Sequence, residues 1–143
     1  MGLLDLASNN SFWRGYDYYT EGKVLSKSRI SDREREGTVA GSNGEEYHVT
    51  IDLAHPKRSV CDCAHAEGTR RICKHKVALH FSVFPDEAEK AIRAAEEYEQ
   101  EEEQRAEEQY KELEAYVNSL SKQQLREELL WRLVDEAERK RYW

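Results

Sequence analysis

Apolar and polar residues recur first every three to four positions, then in alternation, and then give way to dense charge, and these textures divide the chain. Phe12, Tyr16 and Tyr19 stand at i, i+4 and i+7, which puts them on one face of a helix. Ser11 is the expected cap at its start and Gly22 suits its end. The aromatic stripe reads as core, while Trp13, Arg14 and Tyr18 lie off it and are expected on a contact surface. Three strands are predicted next, over 24–30, 37–42 and 45–53. In the third, Tyr47, Val49, Ile51 and Leu53 alternate with His48, Thr50 and Asp52, so one face should be buried and the other wet. Asn43 and Gly44 suit a two-residue hairpin turn, and the charges from Asp32 to Glu36 mark a solvated turn. His55 and Pro56 begin another, before Ser59 and Val60 lead into Cys61.

Further on, Val77, Ala78, Leu79, Phe81, Val83 and Phe84 predict a helix packed on the sheet, ended or bent at Pro85. From Asp86 the texture is that of a long exposed helix. Asp86 and Glu89 have capping-box-like spacing, and opposite charges recur four apart as Glu89 with Arg93, Glu101 with Arg105 and Glu107 with Lys111. Ala106, Tyr110, Leu113 and Val117 form a seam, but Glu99 to Glu103 interrupts it, so no sustained coiled coil is expected. Asn118 to Ser121 breaks the run, and Ser121 with Gln124 reads as a capping box for a last helix. Its Leu125, Leu129, Leu130, Leu133, Val134 and Ala137 share one apolar face, and Arg139, Lys140 and Arg141 suit the negative end of the helix dipole. That face should fold back on the long helix or bind a partner, with Leu125, Leu129 and Leu133 as anchors.

Charge sharpens the division. Residues 1–85 carry 12 Lys and Arg against 11 Asp and Glu, whereas 86–143 carry 10 against 18, so the overall charge of -7 belongs to the second part. Residues 57–76 run the other way, with Lys57, Arg58, Arg70, Arg71, Lys74 and Lys76 against Asp62 and Glu67. Those six cations are the expected nucleic-acid contact surface, since phosphate neutralisation gives affinity without sequence readout. No run approaches the roughly 20 apolar residues of a membrane span, and Leu3 to Ala7 lacks the basic start and long apolar centre of a signal peptide. A cytoplasmic, reducing setting is therefore expected.

All three cysteines of the 143-residue chain fall in Cys61-Asp62-Cys63 and, after nine intervening residues, Cys73-Lys74-His75. An odd count and a one-residue gap argue against disulfides, and a redox pair is more often separated by two residues. Three thiolates and an imidazole suit one structural zinc in a closed tetrahedral site, with Cys61, Cys63, Cys73 and His75 as ligands and no open position for a catalytic water. His65 and His80 are alternatives for the fourth ligand. Two thiolates on one zinc lie only about 3.8 Å apart by the usual bond lengths. Cys61 and Cys63 must therefore lean together as their strand curls. Residues i and i+2 do not share a helix face, so Cys73 should just precede a helix whose first turn carries His75.

Cys-x-Cys, a short loop and Cys-x-His, together with Phe12 to Tyr19, Gly22 to Val24, Tyr47 to Ile51 and Cys73 to Leu79, resembles the SWIM zinc finger over about residues 12–84. The resemblance implies a zinc-dependent module that binds nucleic acid or protein, and a helicase-like ATPase among its partners. The expected fold is α+β: a small antiparallel sheet flanked by short helices and stapled by one zinc, then a long acidic helix and a shorter amphipathic one. The expected domains are 1–85, 86–118 and 119–143. The expected function is non-catalytic binding of nucleic acid, DNA rather than RNA, and of a protein partner. A purely protein-binding adaptor, acting through the acidic and Leu-rich helices, is the alternative. No Gly-rich phosphate loop, nucleophile elbow or zinc-protease motif is present, so neither enzyme activity nor a small-molecule substrate is expected.

Overall fold

The computed structural model describes residues 2–142. They divide into two units, Met1–Arg93 and Ala94–Trp143. The first unit is α+β, built around a four-stranded antiparallel meander in the order β1-β2-β3-β4. The strands are β1 (Val24–Arg29), β2 (Glu34–Ala40), β3 (Glu46–Asp52) and β4 (Val60–Cys61).

A short helix α1 (Leu3–Leu6) precedes α2 (Asn9–Thr20). Ser8, not Ser11, is the cap of α2: the Ser11 amide donates to Ser8 Oγ at 3.1 Å. The helix therefore starts three residues earlier than its aromatic stripe suggested. Gly22, at φ 74°, supplies the left-handed residue just past the helix end. The stripe packs as expected, with the rings of Phe12, Tyr16 and Tyr19 between 5.5 and 6.1 Å from Phe81.

β2 begins at Glu34, so Glu34, Arg35 and Glu36 belong to a strand rather than to the predicted solvated turn. The reason is the ladder on both sides: Arg35 pairs with Arg29 of β1 and with Ile51 of β3. Interior pairing outweighs the low strand preference of charged residues. Between β2 and β3 the Gly41 amide still donates to Glu45 O at 2.7 Å, so the loop is three residues long, with Gly44 left-handed at φ 85°. That is the common three-residue hairpin rather than the two-residue one expected.

The alternation in β3 holds for Val49 and Ile51, both buried, but Asp52 is buried as well. Its carboxylate is turned onto the next turn, where Oδ1 accepts from the Ala54 amide at 3.0 Å and the His55 amide at 2.9 Å. Helix α3 (Lys74–Val83) lies against the sheet and α2, and every residue from His75 to Phe81 is buried. The approach of α2 to α3 is close. A Cβ on Gly15 would stand 2.5 Å from Val77 Cβ and 2.9 Å from Lys74 O.

Pro85 opens α4 (Pro85–Ser119) at the first helical position, where its missing amide costs no hydrogen bond. Two of the three expected ion pairs form, Glu101 with Arg105 at 3.7 Å and Glu107 with Lys111 at 3.3 Å. Helix α5 (Lys122–Tyr142) starts with the expected reciprocal capping box: Gln124 N donates to Ser121 Oγ at 3.2 Å and Ser121 N to Gln124 Oε1 at 2.8 Å. Leu113 of α4 and Leu129 and Leu133 of α5 are all more than half exposed, so these apolar faces are open within the unit. Among the described residues no helix is long and apolar enough to cross a membrane.

Candidate metal centre

The chain presents its four chemistry-bearing residues from two elements. Cys61 ends β4, paired opposite Val49 of β3. The chain then curls: the Asp62 amide donates to His48 O at 3.4 Å while Asp62 Oδ1 accepts from His48 N at 3.0 Å, which pins the turn that brings Cys63 round beside Cys61. The loop that follows folds on itself, with the Ala66 and Glu67 amides donating to Cys63 O at 3.1 and 2.9 Å, and buries Ala66 and Ile72. Cys73 stands at the cap position of α3, and His75 sits in the first turn.

Donor atoms of Cys61, Cys63, Cys73 and His75 all lie within 4.8 Å of one another, and all four residues are buried. A tetrahedral zinc would draw thiolates to about 3.8 Å apart, so the donors are within about an ångström of a ligating arrangement before any ion is considered. His75 Nδ1 is 3.8 Å from Cys61 Sγ, and its Nε2 is buried with no hydrogen-bond partner. The imidazole lies 4.5 Å from the Tyr47 ring and 5.6 Å from the Tyr18 ring. The cluster thus fits one metal ion and is compatible with a zinc site. His65 lies on the rim of a small cavity of about 170 Å³ that reaches Cys63, Cys73 and His75. His80 pairs instead with Glu87 at the junction of α3 and α4.

The thiols perturb one another. Hydrogen bonding from Cys61 holds the Cys73 thiol well below its usual range, and the His75 imidazole adds to that effect. Cys61, as the donor of that bond and buried, is pushed far up. Two thiolate charges about 4 Å apart would repel by roughly 4 kcal/mol at an effective dielectric of 20. A divalent ion among the sulfurs removes that conflict.

Three thiolates and one divalent ion would leave a buried charge of -1, and a lysine answers it. Lys76 has no exposed surface, although its number places it among the six expected surface cations. Its Nζ donates to Arg71 O at 2.6 Å. Burial pushes its ammonium down, and the sulfurs of Cys73, Cys61 and Cys63 push it back up. The physical reason for the correction is that α3 is buried on all sides at this point, so no face is left for a surface cation.

The other five cations do not form a single patch. Lys74 is half-buried with Nζ 4.8 Å over the Tyr18 ring, a ring that Lys23 also covers at 4.0 Å. Arg71 is exposed, and Lys57, Arg58 and Arg70 line one cleft. Tyr18 is buried beside His75 rather than on a contact surface. Its role had no signal in the sequence, because α2 is covered on two sides and only one side carries the regular stripe. Tyr47 was legible through the alternation of β3. Leu125, Leu129 and Leu133 are 38%, 60% and 54% exposed.

No protein-family model matches the chain, and no curated protein or solved structure matches it significantly.

Proposed function

We propose that the first unit is a zinc-stapled, non-catalytic module of the SWIM type that binds nucleic acid, DNA in preference to RNA. The observation that carries the reading is the convergence of three buried cysteines and one buried histidine within 4.8 Å. Cys61 and Cys63 would hold the ion from the end of β4 and the turn after it, and Cys73 and His75 from the start of α3. All four positions of a tetrahedral ion are then protein ligands, which is the arrangement of structural rather than catalytic zinc. Zinc suits the donor set because soft thiolates and imidazole favour it over the oxygen-seeking divalent ions. The ion would tie β4 to α3 and thereby shape the cation-bearing segments on either side of it.

A salt series tests the binding. Metal-loaded full-length chain should retain labelled DNA at low ionic strength and release it as salt rises, because displaced counterions drive the association. Absence of retention at low salt would remove nucleic acid from the reading.

The open apolar face of α5 supports a second role, binding of a protein partner such as a helicase-like ATPase. Leu129 and Leu133 are spaced for a helix laid in a groove. Replacing both by Glu should release that partner from a pull-down of the metal-loaded chain and leave the retention of DNA unchanged. Unaltered capture would refute the adaptor role.

A further inference from the structure

The cations near the metal do not form one patch. Lys76 is inside, Lys74 lies over Tyr18 and Arg71 is exposed elsewhere, but the other three share one place: a cleft of about 510 Å³ with Lys57, Arg58, Arg70 and His55 on its sides and Leu6 and Pro56 as apolar lining. No acidic side chain lines it. Among the described residues, Lys57, Arg58 and Arg70 have no carboxylate within salt-bridge distance. Three unpaired cations sharing one concavity raise its potential above that of the same charges spread on a convex surface.

Two independent parts of the chain build the cleft, and both are held. His55, Lys57 and Arg58 sit on the turn after β3, which is fixed at both ends. Asp52 Oδ1 accepts from the Ala54 and His55 amides, and Ser59 Oγ accepts from the Asp52 amide at 3.0 Å. Asp52 is 5% exposed and spends its charge on these amides and on Arg33, so it does not neutralise the cleft. Arg70 comes from the loop between Cys63 and Cys73, whose two ends are both members of the metal cluster. The cleft is therefore complete only when that loop is in place.

We infer that this cleft is the contact site for a single-stranded nucleic acid, taking one unstacked nucleotide with its phosphates on Lys57, Arg58 and Arg70 and its base against Leu6, Pro56 and His55. The assignment rests on the proposed nucleic-acid binding and narrows it. The volume lies in the range of small-molecule pockets, about 300 to 1,000 Å³, and suits a nucleotide rather than a duplex edge. Cations alone would serve any polyanion, but an apolar lining beside them matches a chain whose flat bases are unpaired.

The test uses metal-loaded full-length protein and fluorescence anisotropy with labelled oligonucleotides of one length: single-stranded DNA, single-stranded RNA, duplex DNA and an abasic strand. Single strands should bind about ten-fold tighter than duplex, and the abasic strand about ten-fold more weakly than the normal one. Arg58→Glu with Arg70→Glu should weaken single-strand binding by about a hundred-fold at low salt. Lys90→Glu, at an exposed cation of α4 that does not line the cleft, should change it by less than about three-fold. Metal content and circular dichroism of both variants should equal those of the parent, and chelating the metal should abolish binding. Unchanged affinity in the double variant, or an equal loss in Lys90→Glu, overturns the cleft and leaves nucleic-acid binding standing. No binding of any oligonucleotide by the parent overturns both. A polyglutamate that competes as well as the oligonucleotide overturns the assignment in favour of an acidic polypeptide.

Discussion

A lysine without exposed surface is costly unless its charge is answered, and Lys76 is answered by a carbonyl and by the sulfurs beyond it. If it balances the negative charge of a three-thiolate site, Lys76→Met should weaken zinc binding by about ten-fold or more, as for other groups just behind metal ligands. Competition with a chromophoric chelator reads this. Lys76→Arg should recover part of the loss, and equal affinity in the Met variant would remove the electrostatic role. Asp52 makes a separate prediction at this scale. Burial pushes its carboxyl up, but the His55 and Ala54 amides and Arg33 outweigh burial and hold it below its usual 3.8. A depressed folded pKa contributes stability above the unfolded value, and that contribution is lost as pH falls through the folded one. Denaturant melts should therefore show stability declining below about pH 4, with a shallower decline in Asp52→Asn, which keeps an acceptor but gains no proton. The convergence of Cys61, Cys63, Cys73 and His75 was legible because cysteine is rare here and its spacing is restrictive. The burial of Lys76 and Asp52 was not, because a charged residue carries no mark of an internal partner that lies several positions away.

At the scale of elements, the contact between α2 and α3 positions His75, and Gly15 is where it is tightest. In an exposed helix, Gly→Ala gains about 1 kcal/mol of helix propensity. Here the added methyl would meet Val77 at 2.5 Å and the Lys74 carbonyl at 2.9 Å. Overpacking of that kind costs about 1 to 3 kcal/mol. Gly15→Ala should therefore lower the melting temperature of the metal-loaded protein, by about 4 to 8 °C per net kcal/mol lost in a unit of this size. A higher melting temperature would show that the helices can separate freely. Elements with local signals were readable: the strand alternation through Val49 and Ile51, the left-handed Gly22 and the Ser121 and Gln124 capping box all depend on neighbours in sequence. The start of β2 was not, because Glu34 and Arg35 are strand residues only by virtue of ladders to Arg29, Ile51 and Asp52.

For the whole molecule, the first unit buries a small core, and the Cys and His cluster is part of it: Cys61, Cys63, Cys73 and His75 lie among Val49, Ile51, Val77 and Leu79. Structural zinc contributes about 10 to 16 kcal/mol of apparent binding free energy that is coupled to folding. A small domain typically has only about 5 to 15 kcal/mol of net stability, so removal of the ion should unfold this unit. The second unit draws its helices from ion pairs and a capping box, and its helicity should survive chelation. Native mass spectrometry of the full chain, purified without added metal, tests the central claim most directly. The account predicts one zinc per chain in the compact charge states and a shift to extended charge states when zinc is stripped. A compact, fully folded population carrying no metal would contradict it.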